Sequence, residues 1–309
     1  MADPLIGTAV PILLLMCTGF LSRKFGILKS GDERVLSAYV YYFALPALFI
    51  VDMAETTFVS ETLVFIFAGI LPIFLVVAVF VLLYALLRFS RNTFYVLTLS
   101  TIFGNTAFFG IPFVTFAFPL AQTERLATLA AATIGIVSIA VSIALLEFYQ
   151  LGDSSKWEGL RQVAKRLAKN PLIISITIGI LISVVGAEIP SPVSTFLHMA
   201  GGTTSAVAVF MLGAFLYGKK YQNLTVAFGL SLLRIIFLPA VAFVTLTLFR
   251  LPATEESILV LMHAMPVAVS LSVLSERYDF HRETVASLTL ISSVGAIVYL
   301  NIWLAILGL

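Results

Sequence analysis

The chain has 309 residues, of which 60% are hydrophobic and 11% charged, with a mean hydropathy of +1.08. Soluble proteins carry about a quarter charged residues, so this composition excludes a soluble enzyme, a secreted scaffold and a nucleic-acid binder, and it indicates an all-α polytopic membrane protein. The net charge of +2 shows no bias toward polyanions, and three histidines with one cysteine predict neither a metal site nor a bound cofactor.

Ten apolar runs are long enough to cross a bilayer, for which about 20 residues are needed. We predict spans at 4–21, 35–53, 61–86, 93–118, 127–149, 171–187, 193–217, 224–249, 256–275 and 285–307. Of the 18 basic residues, 15 lie in loops after odd-numbered spans, Arg125 and Arg250 lie in even-numbered loops, and Arg234 lies inside span 8. Because cytoplasmic loops carry the excess of Lys and Arg, both termini are predicted on the outer side of the inner (plasma) membrane.

The long connection at 150–170 separates five spans from five. Its apolar residues share one helical face and most of its basic residues lie on the others, which predicts an amphipathic helix on the inner leaflet; the apolar ones are Trp157, Leu160, Ala164 and Leu167. A plain tether is favoured over a regulatory or lipid-sensing element. The predicted units are therefore a first repeat at 1–149, this linker, and a second repeat at 171–309.

Five spans in each half require the second half to enter the membrane from the opposite side, so internal similarity predicts an inverted repeat. Span 1 opens Pro4-Leu5-Ile6 and reaches Gly19 fifteen residues after its proline, and span 6 opens Pro171-Leu172-Ile173 and reaches Gly186 at the same interval.

The fourth span of each half is interrupted by residues that break helices. Paired breaks in an inverted repeat are typical of a transporter's binding site, although membrane helices also carry proline without function, as at Pro46, Pro72 and Pro239. The predicted substrate-binding residues near the breaks are Gly104, Asn105, Thr106, Gly110 and Pro112 in span 4, and Met265, Pro266 and Ser270 in span 9.

Ionisable groups at membrane depth are costly and usually functional. Arg234 either pairs with an anionic substrate or snorkels, placing its guanidinium at the cytoplasmic surface. His263 either carries a coupling proton or forms a hydrogen bond with a carbonyl freed by the break. For Asn105 we favour a substrate role, because a neutral amide leaves no charge behind when the site empties. Four further residues are predicted at solvated or interfacial boundaries: Asp52, Glu55, Glu147 and His198.

Half-helices that begin at a break point unpaired N–H groups into the cavity, so two such ends predict an anion as the guest. The breaks hold no acidic residue, so no sodium site is predicted, and proton coupling, exchange and uniport all stay open. Clustered catalytic groups and phosphate-cradling loops are absent from the sequence, which argues against an enzyme or a primary pump.

Four stretches together resemble the auxin efflux carrier family, the bacterial relatives of plant PIN-type carriers. Within 10–49 they are Gly19-Phe20-Leu21, Phe25-Gly26-Ile27-Leu28 and Ala44-Leu45-Pro46-Ala47-Leu48, followed by Asn105-Thr106 with Gly110-Ile111-Pro112, by Asn170-Pro171-Leu172-Ile173-Ile174, and by Met265-Pro266 with Arg277-Tyr278. The resemblance covers nearly the whole chain. Ser270 stands where many bacterial relatives have Asn, and Ala206 where many have Pro.

The resemblance implies a ten-helix fold similar to bile-acid sodium symporters, in which broken helices 4 and 9 cross beside the substrate. It further implies a scaffold of spans 1, 2, 6 and 7, a transport domain of spans 3–5 and 8–10, and a homodimer. The predicted function is a secondary carrier of a small organic anion, such as a carboxylate or an auxin-like compound. The alternative is a channel or a transporter-like sensor for the same ligands.

Overall fold

The computed structural model describes residues 4–118, 123–151, 156–218 and 221–309, and every element within them is helical. The predicted-linker residues 152–155 and the basic pair Lys219 and Lys220 lie outside this set. The α-helices of the described residues are α1 (Pro4–Lys24), α2 (Asp32–Tyr39), α3 (Leu45–Ala54), α4 (Ser60–Leu87), α5 (Arg91–Ile102), α6 (Ile111–Ala117), α7 (Thr123–Leu151), α8 (Lys156–Ala168), α9 (Pro171–Val185), α10 (Ser191–Gly202), α11 (Thr204–Leu216), α12 (Leu224–Leu232), α13 (Leu238–Leu246), α14 (Ala253–Ala264), α15 (Val269–Tyr278) and α16 (Arg282–Ile306).

Several of these helices have the length and apolarity of membrane spans. Five segments meet both conditions on their own: Asp32–Ala54, Ser60–Leu87, Thr123–Gln150, Ser191–Leu216 and Leu224–Leu246. Two bent pairs of helices meet them only when each pair is taken together: Gly159–Ala168 with Pro171–Val185, and Arg282–Ala296 with Val298–Ile306. They overlap predicted spans 2, 3, 5, 7, 8, 6 and 10, in that order. The chain is therefore a multi-pass membrane protein.

Three turns of π-helix precede prolines, at Val40–Ala44, Thr106–Gly110 and Leu233–Phe237. In each, the N–H of the residue before the proline donates to the carbonyl five residues back, as the Leu238 N–H donates to the Leu233 carbonyl. A proline ring lacks an N–H and clashes with the carbonyl four residues back, so the wider turn relieves the clash without ending the helix. Pro46 and Pro239 thus shape the helix locally, whereas Pro72 lies within the continuous α4.

Glycines allow two helix pairs to approach closely, α1 with α11 and α3 with α9. A Cβ added to Gly19 would lie 1.9 Å from the Phe210 oxygen, and one added to Gly213 would lie 1.9 Å from the Met16 oxygen. At Gly179 the added Cβ would lie 2.8 Å from the Ile50 oxygen. These contacts leave no room for any side chain, so backbone packs on backbone.

Helix α8 is the amphipathic helix predicted in the linker, and the chain turns by 62° between it and α9. Leu160 and Ala164 are exposed on its surface, while Val163 packs inward. The side chain of Trp157 lies outside the described set.

Candidate functional site

Two helix breaks meet in the middle of the molecule. The first, at 103–105, separates α5 from the π-turn that leads into α6, and the second, at 265–268, separates α14 from α15. The Asn105 N–H donates to the Pro266 carbonyl at 2.8 Å and the Ala268 N–H donates to the Phe103 carbonyl at 3.0 Å, around an antiparallel bridge between Gly104 and Val267. Each break thus supplies partners for main-chain groups that the other leaves outside a helix.

Arg234 holds the carbonyl ends of the two interrupted helices together. Its Nε donates to the Met265 carbonyl at 2.8 Å, and its Nη1 donates to the Thr101 carbonyl at 2.9 Å and the Ile102 carbonyl at 3.3 Å. A longer bond of 3.4 Å runs from Nη2 to the Met262 carbonyl. Because a helix C-terminus carries partial negative charge, one guanidinium stabilises both ends.

The charge of Arg234 has no acidic partner among the described residues, although the side chain is 0% exposed. Gly104 lies directly against it, since a Cβ at this position would be 1.6 Å from Arg234 Nη2. The backbone of the first break therefore rests on a buried cation, and only glycine fits there.

A cavity of about 670 Å³ ends at the breaks. Its mouth lies near the exposed Arg34 at the start of α2, and buried Phe49 and Ala131 mark its closed end. Four of the predicted site residues line it, namely Gly104, Asn105, Thr106 and Ser270. Most of the remaining wall is apolar, with Tyr41, Phe103 and Phe215 among its aromatic residues.

The polar part of the wall contains unused hydrogen-bonding groups. Asn105 is 3% exposed and its Nδ2 has no partner among the described residues. The same holds for Oγ of Ser138 on α7, which also lines the cavity. Sequence reasoning missed Ser138, because a lone serine in an apolar span gives no signal of its own.

Two helix N-termini also reach this wall. Neither Asn105 before the π-turn nor Ala268 before α15 caps its helix with a side chain, and Thr106, Val269 and Ser270 line the cavity. Free N–H groups at a helix N-terminus carry partial positive charge and bind anions. The site can therefore offer an anion two helix ends, beside which lies the buried, unpartnered amide of Asn105.

The other predicted site residues lie behind the wall rather than on it. The structure keeps Gly110, Pro112, Met265, Pro266, Arg234 and His263 out of the cavity lining. A Cβ at Gly110 would lie 2.7 Å from Met262 Sδ, so this glycine serves packing. Met265 and Pro266 contribute their carbonyls to the contacts above.

Both interpretations of Arg234 require correction. Its side chain does not snorkel to the surface, since the guanidinium is fully buried. Its N–H groups donate to main-chain carbonyls and not into the cavity. The guanidinium is stable in this buried position because the four carbonyl groups offset part of its charge there. It therefore does not need to reach the membrane–water interface.

His263 is also fully buried. Its Nε2 lies 2.8 Å from the carbonyl of Gly69 in α4, so its carbonyl partner is on a neighbouring helix and was not freed by the break. The Nδ1 atom has no partner among the described residues.

Three predicted boundary carboxylates are less solvated than expected. Asp52 and Glu147 are 4% and 3% exposed, and Glu55 pairs with Arg125 and with His198, the latter at 3.1 Å. Glu147 accepts from the Tyr278 hydroxyl at 2.6 Å and from Arg166 at 2.7 Å. Residues near the ends of these spans are covered by neighbouring helices, which periodicity along a single span does not reveal.

Apolar helices of bilayer length around a cavity that ends at paired helix breaks define a membrane transport protein. The chain belongs to the membrane transport protein family, which matches residues 4–304 and contains the auxin efflux carriers. It is 25% identical over 301 residues to the uncharacterized transporter MJ1031 of Methanocaldococcus jannaschii, covering 94% of this chain and 95% of that one. It is also 23% identical to the uncharacterized transporter YfdV of Escherichia coli K12, over 97% and 96% of the two chains. The resemblance drawn from the motifs is thereby confirmed, and the family is one of transporters, not of enzymes.

Proposed function

We propose that this protein is a secondary carrier that moves a small organic anion, such as a carboxylate or an auxin-like compound, across the inner membrane by alternating access. The observation that carries the proposal is the polar end of the cavity, where the unpartnered Asn105 Nδ2 lies beside two helix N-termini without side-chain caps. Each helix end contributes roughly half a positive charge. An anion satisfies all three donors at once.

Buried charge strengthens the preference for an anion. Arg234 lies behind Gly104 and has no acidic partner among the described residues. Four carbonyl dipoles offset part of its charge, and the remainder favours a negative ligand on the other side of the break. A neutral ligand would gain less from this field than an anion does.

Alternating access needs a site that is open at one end and closed at the other. The cavity has its mouth near Arg34, while beyond its closed end the Glu55–Arg125 ion pair joins the end of α3 to α7. We assign α3 to the scaffold and α7 to the transport domain, so this pair forms a closed gate across their interface. Movement of α7 against α3 would open the far side and close the near one.

The proposed architecture is ten spans in two inverted repeats of five, with spans 1, 2, 6 and 7 as scaffold. Two observations support it. Helix α1 packs on α11 and α3 packs on α9, which are spans 1 with 7 and 2 with 6, and a two-fold relation of the halves exchanges these pairs. The two breaks also bond to each other in antiparallel fashion. We further propose a homodimer with both termini outside.

Counterflow in proteoliposomes tests the carrier mechanism. Melting temperatures measured with a panel of mono- and dicarboxylates first identify the acid that stabilises the protein most. Vesicles loaded with that acid should then take up its radiolabelled form faster than empty vesicles do. Uptake that is independent of internal acid would indicate a channel, and binding without uptake would indicate a sensor.

Cysteine labelling tests the topology. In a Cys17→Ser background, Gln162→Cys on the exposed side of α8 should resist an impermeant maleimide in intact cells, and Glu188→Cys in the loop before α10 should react. The reverse pattern would place the termini inside. Lysed cells provide the control, because both cysteines should then react.

A further inference from the structure

A buried carboxyl group lies one helical turn beyond the closed end of the cavity. Asp52 follows Phe49 by three residues on α3, and Thr128 precedes Ala131 by three residues on α7, so both lie about 4.5 Å farther along their helices than the last lining residues. Asp52 is 4% exposed and Thr128 is 0% exposed. This pair belongs to neither the cavity nor the ion pair above it.

The two side chains face each other, and one oxygen atom of each lacks a hydrogen bond. The Thr128 hydroxyl lies close enough to the Asp52 carboxyl group to act on its charge, yet neither Asp52 Oδ2 nor Thr128 Oγ1 makes a hydrogen bond of normal geometry to any described residue. An unsatisfied buried carboxylate is expensive, so a structure that keeps one usually provides a ligand for it.

Within the part of the chain that the structure describes, no cation is free to neutralise Asp52. Arg125 on α7 is the basic residue that acts on it, and its guanidinium is bonded to Glu55. Two carboxylates, Glu55 and Glu124, add negative charge from the same side. Of the helices packed on α3, α9 carries no ionisable residue, α10 carries His198, which bonds Glu55, and the preceding π-turn carries Tyr41 and Tyr42.

A proton fits this environment better than a metal ion. No group of three or more His, Cys, Asp or Glu side chains comes together among the described residues, so the site lacks the ligands of a metal cage. One proton on the carboxyl group removes the buried charge and supplies a donor for Thr128 Oγ1. The Thr128 hydroxyl can pair with either form of the carboxyl group, so the removal of the buried charge is what favours the proton.

We propose that Asp52 is a proton-binding site of the α3–α7 interface, occupied while the end of the bundle next to Glu55 and Arg125 is closed. When α7 moves away from α3, the carboxyl group meets water and releases its proton. When the interface closes, burial without a counter-charge requires the proton to return. Protonation of Asp52 is thereby linked to which end of the cavity is open.

The link to the open end rests on the proposed function, but proton binding at Asp52 does not. Infrared difference spectroscopy of the full-length protein in lipid nanodiscs tests proton binding without any substrate. A buried protonated carboxyl group absorbs apart from the ionised groups, and we expect such a band in the parent protein at mildly acidic pH. Asp52→Asn, which keeps the shape of the side chain, should lose the band. Glu147→Gln is the matched control and should retain it, because Glu147 is equally buried but paired with Arg166.

Two further arms make the outcome decisive. Thr128→Val should keep the band and shift its frequency, since it removes the proposed acceptor but not the proton. Replacing sodium with choline in the buffer should change nothing. A parent protein without the band, a band that survives Asp52→Asn, or a band that appears only when sodium is removed would each overturn the proposal.

Discussion

The break at 103–105 brings a side chain to the cavity, whereas the break at 265–268 brings mainly backbone. In the first, Asn105 lines the cavity and carries an unpartnered buried amide, and Gly104 leaves room for Arg234 behind the wall. In the second, Met265 and Pro266 lie behind the wall and act through their carbonyls, which bond Arg234 and Asn105.

This difference shows that two similar breaks can have different roles in one binding site. The second break fixes the position of the first, and the first makes the distinctive polar contacts. Substitutions in the first break should therefore change binding or folding strongly, while substitutions in the second should be tolerated if the backbone keeps its course.

The largest effect is expected for Gly104→Ala. The added Cβ would lie 1.6 Å from Arg234 Nη2 and would push the guanidinium off its carbonyl acceptors. We expect a loss of at least about 3 kcal/mol in stability, because a buried charge loses partners and the region is overpacked. The yield of monodisperse protein and its melting temperature measure this.

Gly229→Ala on α12 is the matched control, since a Cβ there meets nothing within 4 Å. It should leave stability equal or slightly raised, because alanine favours a helix over glycine. A Gly104→Ala protein as stable as the Gly229→Ala protein would show that Arg234 does not hold the breaks in place.

The next largest effect is expected for Asn105→Ala, and it concerns binding. A lost hydrogen bond to a charged ligand costs roughly 1.5–3 kcal/mol, which is about tenfold to more than a hundredfold in affinity for a carboxylate. The main-chain bond to Pro266 remains, so the melting temperature without ligand should stay close to that of the parent. Asn92→Ala, at an exposed asparagine, serves as control; equal carboxylate affinity in both variants would remove Asn105 from the site.

A smaller effect is expected for Pro266→Ala in the second break. The alanine carbonyl can still accept from Asn105, so we expect only about 0.4–1 kcal/mol of lost stability from the more flexible unfolded chain. Carboxylate affinity, measured by calorimetry, should stay within a few fold of the parent. A loss of affinity as large as that of Asn105→Ala would erase the distinction between the two breaks.

The smallest effect is expected for Ser270→Ala. Ser270 lines the cavity but its side chain is exposed, so water can replace any contact it makes. We expect less than about 1.5 kcal/mol, or roughly a tenfold loss of carboxylate affinity at most. A larger loss would place an essential polar side chain on the second half as well.

The positions of the breaks were predictable from sequence, because proline and glycine act locally on the helix that contains them. The ten spans and their inverted arrangement remain predictions. The role of Arg234 was not predictable, since its carbonyl partners lie 28 to 133 residues away in the chain. The burial of Asp52 and Glu147 was missed for the same reason, as the helices that cover them are distant in sequence.

The most direct test of the anion site compares a carboxylate with its amide analogue by calorimetry. The acid is the one that stabilises the parent protein most, and Arg34→Gln separates the effect of the exposed cation at the mouth from that of the closed end. We predict that the acid binds at least about tenfold more tightly than the amide, in the parent and in Arg34→Gln alike. Equal affinity for acid and amide in the parent would contradict the account, because two helix ends and a buried guanidinium would then confer no preference for charge.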